Sequence, residues 1–231
     1  MDSRRRRTDD SRKGEPPQGL PRQVFRWIRV LFWCNLIAVP ASALLHGERF
    51  DVATHPLSWL GNPSTVNGLP NQHGMLIFDA NLLLSSFVCF RLSRLSWRSS
   101  RRPLFRLTGA LFLVAAMGLV VTIVPCATHD PIHRLGAGLM TAALWLLGFA
   151  LLAETRRFAP TLWFYGAVIA NHLFLYVYAF LFFSNRPGQV FLQKVAFFGL
   201  LCNLYLPARK ALAPVAEEAE EPELGLQVND R

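Results

Sequence analysis

The chain has 231 residues, of which 52% are hydrophobic and only 17% are charged, and its mean hydropathy is +0.27. A soluble domain carries about 25% charged residues, so this composition excludes an ordinary soluble globule. The 18 phenylalanines and 6 tryptophans exclude a wholly disordered chain, because so much aromatic surface does not stay solvated. The composition therefore predicts a membrane protein.

Apolar segments of spanning length fill the middle of the chain. Residues 1–26 are polar and rich in arginine, which predicts a disordered basic tail. Six apolar segments of about 20 residues follow, the length that crosses a hydrocarbon core. Residues 207–231 are rich in glutamate and predict a disordered acidic tail. Since the alternation of a membrane β-barrel is absent, residues 27–206 predict an all-α polytopic bundle with spans near 27–45, 74–92, 106–127, 133–153, 161–184 and 188–206.

The basic residues indicate how the bundle is oriented. Of the 24 lysines and arginines, 20 fall in the two tails, the start of the first span and the second and fourth connections. Three, Arg49, Arg134 and Arg186, fall on the other side, and Lys194 lies within a span. This asymmetry predicts that both termini are cytoplasmic and that the protein is a multi-pass protein of the cytoplasmic (cell inner) membrane. The net charge of +9 is then explained by basic residues that set the orientation in the membrane. No zinc-ligand spacing and no platform of basic and aromatic residues points to nucleic acid.

The first span has a second interpretation. A basic start, an apolar run and Ala41-Ser42-Ala43 resemble a secretory signal with its cleavage site, which would leave five spans. The run is long for a signal and contains Asn35 and Pro40, so a retained first span is the leading prediction. The four cysteines are far apart and form no C-x-x-C motif, which predicts buried free thiols.

Histidines gather in the connections that are expected to face outward. His73 opens the second span, while His129 and His133 flank the start of the fourth, at the same membrane level. Imidazoles with a carboxylate at one depth are typical of a site for zinc or a similar divalent metal, so His73, His129 and His133 are candidate ligands. Ser58, His73 and Asp130 are candidate catalytic residues. The alternative is that these residues are solvated or cap a helix, as Asp130 before Pro131 also suggests.

Two charged side chains fall inside the predicted spans. Asp79 and Lys194 each lie about 9–10 Å below the expected outer surface, and charges at that depth usually pair or face a cavity. We expect an ion pair between them. With His172 near mid-membrane they form a candidate intramembrane polar pocket. The alternatives are Lys194 extending to the interface, a protonated Asp79, and His172 bonding between helices.

The segment from His55 to Asn62, which reads HPLSWLGN, resembles the S-x-L-G outer-loop signature of a domain-of-unknown-function family of bacterial and archaeal six-helix membrane proteins. Pro125 at the end of the third span and His133 at the start of the fourth fit the same family. The resemblance covers about residues 27–206 and implies an architecture rather than a reaction. Six-helix membrane hydrolases are a more distant comparison, because their second H-x-x-x-H motif in a late helix is missing here.

Three functions follow from these features. The leading prediction is a ligand-binding or sensing membrane module with an outward-facing polar pocket. A metal-dependent membrane hydrolase or lipid-modifying enzyme, built on the histidine cluster, is the first alternative. A small proton-coupled transporter that uses Asp79, His172 and Lys194 is the second. The expected partners are the lipid bilayer and a small-molecule or lipid ligand, and the bundle is either a monomer or half of a homodimer.

Overall fold

The computed structural model describes residues 20–98, 103–156, 160–183 and 188–217. Six long helices account for most of them, and a short 3-10 helix, Leu57–Gly61, lies between the first two. β-structure in these ranges is limited to one antiparallel bridge between Ser64 and Pro70. The helices are α1 Leu20–Leu44, α2 Gln72–Arg98, α3 Pro103–Thr122, α4 Cys126–Thr155, α5 Thr161–Phe183 and α6 Gln189–Glu217.

Five of the helices are long and apolar enough to cross a membrane. Their spanning stretches are Arg22–Leu44, Gln72–Arg98, Leu104–Thr122, Cys126–Ala153 and Gln189–Lys210. Within α5 the apolar stretch Thr161–Val177 is shorter than these. The prediction of an all-α polytopic membrane bundle is confirmed, with five helices of full spanning length and α5 as the sixth.

The helices are arranged as a ring of five with one helix outside. α1, α2, α3 and α4 pack in sequence order, and α6 closes the ring by contacting both α4 and α1. α5 packs against α6 and, less extensively, against α4. Along the outer side of α5, large apolar side chains are exposed at helical spacing, as expected for a surface that meets lipid. They are Leu162, Tyr165, Ile169, Leu173, Tyr176 and Phe180.

Small residues let α3 and α4 approach each other closely. A Cβ atom added at Gly118 would lie 2.6 Å from the backbone nitrogen of Met140, and one at Gly136 would lie 2.6 Å from that of Thr122. Glycine at both positions therefore lets the two backbones touch, as membrane helix pairs commonly do. A hydroxyl adds a polar contact on the neighbouring interface, where Ser86 of α2 donates to the carbonyl of Ala116 in α3.

The helix boundaries differ from the predicted spans at three places. α1 begins at Leu20 and α6 continues to Glu217, so both helices extend into the predicted tails, the rest of which lies outside the described residues. α4 begins at Cys126 rather than near residue 133, with non-helical backbone at His129. The kink follows from Pro131, which offers no N–H to the carbonyl one turn before it and crowds that turn.

Because consecutive helices run in opposite directions, the bundle has two distinct ends. We call the end that carries the α1–α2 connection the loop end, and the opposite end the basic end. The helix segments at the basic end carry most of the described lysines and arginines, which are Arg22, Arg26, Arg91, Arg94, Arg98, Arg106, Arg156, Arg209 and Lys210. The charge asymmetry of the sequence therefore coincides with the alternation of the helices.

Candidate functional site

The α1–α2 connection, residues 45–71, folds back over the loop end. Its 3-10 helix buries Leu60 completely in the hydrophobic core. Asn71, which is 1% exposed, fixes the connection by donating to the carbonyls of Leu60 and Asn62 at 3.1 and 2.8 Å. Its Oδ1 accepts the N–H of Gly47 at 3.3 Å. One buried amide therefore joins three points of the connection.

A second asparagine attaches the connection to α4. Asn62 is buried, and its Oδ1 accepts the backbone N–H of Ala127 at 3.2 Å and the thiol of Cys126 at 3.3 Å. The first N–H groups of a helix have no partner within the helix, so Asn62 satisfies one of them from outside. The N-terminus of α4 and the connection are thereby held together.

The connection is also attached to α6, by two neighbouring side chains. Gln193 accepts the N–H of Leu57 at 3.2 Å through its Oε1. Lys194, only 6% exposed, donates to the carbonyls of His55 at 2.6 Å and Val190 at 3.1 Å. Its ammonium also lies 5.7 Å from the ring centre of Phe50. A buried cation thus supports the connection from below through carbonyl and aromatic contacts.

Above this support lies a cavity of about 540 Å³ that is open to solvent. One wall is aromatic, since the rings of His55 and Trp59 are 5.0 Å apart. Its volume falls in the range of small-molecule sites. The residues that line it are Glu48, Arg49, Thr54, His55, Trp59, Val66 and Asn67, and we call this cavity the loop pocket.

The charged groups around the loop pocket are held in different ways. Asn67 donates to Oε2 of Glu48 at 2.6 Å. Arg49 is exposed and forms no ion pair within the described ranges. Asp51, outside the lining, is engaged by its own turn, because its oxygens accept the Ala53 N–H and the Thr54 hydroxyl, each at 2.8 Å. The backbone bond from Ala53, then that from the Thr54 hydroxyl, lowers the pKa of Asp51 below its usual value of 3.8.

We expect Lys194→Met to loosen the connection without unfolding the bundle. The methionine keeps the apolar stem but donates nothing to the His55 carbonyl, and a hydrogen bond from a charged group is worth about 1.5–3 kcal/mol. Hydrogen exchange of residues 51–57 should accelerate by about tenfold or more. Lys210→Met, which removes a cation over the Trp163 ring at the basic end, is the control. Unchanged exchange at 51–57 would show that Lys194 does not hold the loop.

The predicted metal ligands are not brought together. His73 and His129 are exposed, and His133 is buried with Nδ1 donating to the Val124 carbonyl at 2.9 Å. Within the ranges that the structure covers, no three His, Cys, Asp or Glu side chains are placed to hold a metal ion. The physical reason is local: the kink at His129 and the bond from His133 point the two imidazoles to different surroundings.

The predicted catalytic residues are also separate. Ser58 lies on the 3-10 helix, where its carbonyl is 3.7 Å from the Cys126 thiol. His73 is exposed at the start of α2. Asp130 pairs with Arg134 at 2.7 Å across one turn of α4, with both side chains exposed. Among the contacts of the described residues, none joins these three side chains.

The predicted intramembrane pocket divides into three places. Asp79 lies beneath the connection, because a Cβ added at Gly61 would be 3.4 Å from its Oδ1. That oxygen is buried and has no hydrogen-bond partner, and Asp79 and Lys194 form no ion pair in the described part of the chain. Lys194 is directed elsewhere, since its ammonium contacts the carbonyl of His55 and the ring of Phe50.

His172 belongs to a separate aromatic cluster between α4 and α5. Its ring stacks on Tyr176 at 5.5 Å and lies 4.5 Å from Phe149 and 5.7 Å from Trp145. His172 therefore packs between helices through ring contacts, while its Nδ1 is buried without a hydrogen-bond partner among the described residues.

A polar network inside the ring was not predicted. Asn35 of α1 donates to the Ser85 hydroxyl of α2 at 2.9 Å, and its Oδ1 accepts from Asn81, also of α2, at 2.9 Å. All three side chains are buried, and such bonds link membrane helices. The network lies within the α1–α2 interface, so it stabilises the ring.

Sequence reasoning placed the candidate polar pocket within the membrane, at Asp79, His172 and Lys194, and did not predict the loop pocket. Arg49, Thr54 and Asn67 line the loop pocket, and Gln193 supports it from α6. Arg49 and Asn67 carried a signal, because they are polar residues of the connection itself. Gln193 carried none, since nothing in the sequence relates it to Leu57.

Comparison with known proteins identifies a family. The model of a family described as "Protein of unknown function (DUF998)" matches residues 30–202. No curated protein and no solved structure matches the chain.

Proposed function

The chain belongs to the DUF998 family of proteins of unknown function, and we propose that it is a ligand-binding or sensing module of the cytoplasmic membrane whose loop pocket faces outward. The observation that carries this proposal is an open cavity in a connection that is fixed internally and attached to two helices. Asn71 joins three points of the connection, Asn62 attaches it to the N-terminus of α4, and Lys194 of α6 supports it. A pocket prepared in this way loses little conformational entropy when a ligand binds.

Binding is tested by filling the loop pocket. Val66 lines the cavity and is 65% exposed, so Val66→Trp occupies space at little cost to packing. Detergent-purified protein is screened by thermal unfolding against amino acids, amines, sugars and organic phosphates. We expect at least one compound to stabilise the wild type by about 2–3 kcal/mol at a concentration near 100 times its Kd, and to lose this effect in Val66→Trp.

The matched control is Val52→Trp, because Val52 is 53% exposed in the same connection but does not line the cavity. It should respond to the compound as the wild type does. Stabilisation that persists in Val66→Trp would place binding elsewhere, and a screen without any stabilising compound would contradict the proposal.

The outward orientation is tested by labelling single cysteines in intact cells. In a variant whose four native cysteines are replaced by serine, Asn67→Cys lies at the loop end and Arg98→Cys lies at the basic end. A membrane-impermeant maleimide should label Asn67→Cys in intact cells and Arg98→Cys only after permeabilisation. The reverse pattern would contradict the orientation and, with it, the cytoplasmic location of the termini.

A further inference from the structure

Two opposite charges in the loop pocket are available to a ligand. The Arg49 guanidinium has no anionic partner among the described residues, although Glu48 is its neighbour in the chain. Glu48 accepts one hydrogen bond from Asn67 through Oε2, which leaves its other oxygen for a further donor. At the same end of the bundle Asp130 and Arg134 do neutralise each other, at 2.7 Å. The loop pocket thus presents separate positive and negative groups.

Neighbouring groups in the loop pocket favour an ammonium group near Glu48 and an anion near Arg49. Trp59 lines the same cavity, and an indole face attracts ammonium groups. The Lys194 ammonium is engaged by the carbonyls of His55 and Val190, so the positive group that lines the cavity itself is Arg49. Asp51 lies outside the lining of the cavity, and both its oxygens are engaged in its own turn.

We propose that the loop pocket binds a small zwitterion, with an oxyanion on Arg49 and an ammonium group between Glu48 and Trp59. This inference rests on the function proposed above and names the class of ligand. A simple anion would be repelled by Glu48, and a simple cation by Arg49. A zwitterion matches both charges at once, and guanidinium groups bind phosphate and carboxylate oxygens through paired hydrogen bonds.

Such a ligand has two possible sources. Free phosphoethanolamine is one, and the headgroup of phosphatidylethanolamine is the other. The connection carries exposed apolar side chains, including Val66, which lines the pocket and is 65% exposed, and Leu69, which is 48% exposed. These side chains allow the connection to contact the membrane surface, where lipid headgroups lie. Both sources present the same ammonium and phosphate groups.

The test compares ligands that carry one charge with a ligand that carries both. Binding of phosphoethanolamine, ethanolamine and inorganic phosphate to the purified full chain is measured by calorimetry. In parallel, native mass spectrometry counts lipids retained from nanodiscs of phosphatidylethanolamine or phosphatidylglycerol. We expect phosphoethanolamine to bind at least about tenfold more tightly than either single-charge compound, or phosphatidylethanolamine to be retained selectively. The first result indicates the free zwitterion and the second the lipid.

Charge-neutralising variants assign the two ends of the ligand. Arg49→Gln and Glu48→Gln should each weaken binding by about tenfold or more, while Arg134→Gln, at the same end but outside the pocket, should leave it unchanged. Equal binding of a single-charge compound, abolished by Val66→Trp, would overturn the zwitterion while the pocket remains a ligand site. If neither phosphoethanolamine nor phosphatidylethanolamine binds, the inference is wrong. The compound screen with Val66→Trp then decides separately whether the pocket binds anything.

Discussion

Replacing Asn71 with alanine should destabilise the protein by about 3 kcal/mol or more. The change removes three hydrogen bonds at once and leaves the carbonyls of Leu60 and Asn62 and the N–H of Gly47 without partners. A buried polar group that loses its partner costs about 1–3 kcal/mol, and the side chain of Asn71 is nearly inaccessible to compensating water. The measurement is thermal unfolding of the purified protein, followed by circular dichroism.

The control for this prediction is Asn67→Ala in the same connection. Asn67 is exposed and makes one side-chain bond, to Glu48, so its loss should cost less than about 1 kcal/mol. Asn71→Asp is a second, finer variant, because aspartate retains an acceptor for Gly47 but cannot donate to the two carbonyls. Equal stability of Asn71→Ala and Asn67→Ala would contradict the central role given to Asn71.

Adding a methyl group at Gly118 or Gly136 should separate α3 from α4. In both cases the new Cβ would come within 2.8 Å of backbone atoms of the opposing helix, which have no rotamer to change. Overpacking of this kind usually costs about 1–3 kcal/mol. Elsewhere in a helix the same change is favourable, since glycine is less stable there than alanine by roughly 0.5–1 kcal/mol.

Gly138 provides the matched control, because it lies on the same helix as Gly136 and a Cβ there meets nothing within 4 Å. Gly138→Ala should therefore leave the thermal midpoint unchanged or raise it, while Gly118→Ala and Gly136→Ala lower it. If all three variants behaved alike, the change would reflect helix propensity and not the α3–α4 contact.

Much of the architecture followed from the sequence because one physical requirement dominates it. A segment that crosses lipid must be apolar over a fixed length, so the α2 and α3 spans were recognisable without any tertiary information. The predicted and observed helix boundaries differ where the chain no longer has to be apolar. α1 begins at Leu20, so the helix includes Arg22 and Arg26 before its apolar run. A hydropathy criterion does not detect such a polar extension of a helix. α4 begins before Pro131 because proline can kink a helix as well as begin one.

The site was harder to predict, because the position of a residue along a helix does not determine which way its side chain points. The sequence predicts similar depths for Asp79 and Lys194, but the structure directs Lys194 to the carbonyl of His55 and Asp79 to the underside of Gly61. The same limitation explains the histidines: His129 and His133 are four residues apart, yet a kink separates their directions. Which way a side chain faces depends on neighbours that are distant in sequence.

The attachment of the first connection to α6 has a consequence for how the protein is made. Leu57 and His55 bond to residues that follow them by 136 and 139 positions. Chains grow from the N-terminus, so the connection leaves the ribosome long before Gln193 and Lys194 exist. Contacts of such long sequence separation form late, because the intervening chain must be ordered first. The loop pocket is therefore completed only when α6 inserts, and a chain arrested before α6 carries the pocket residues without the support that shapes them.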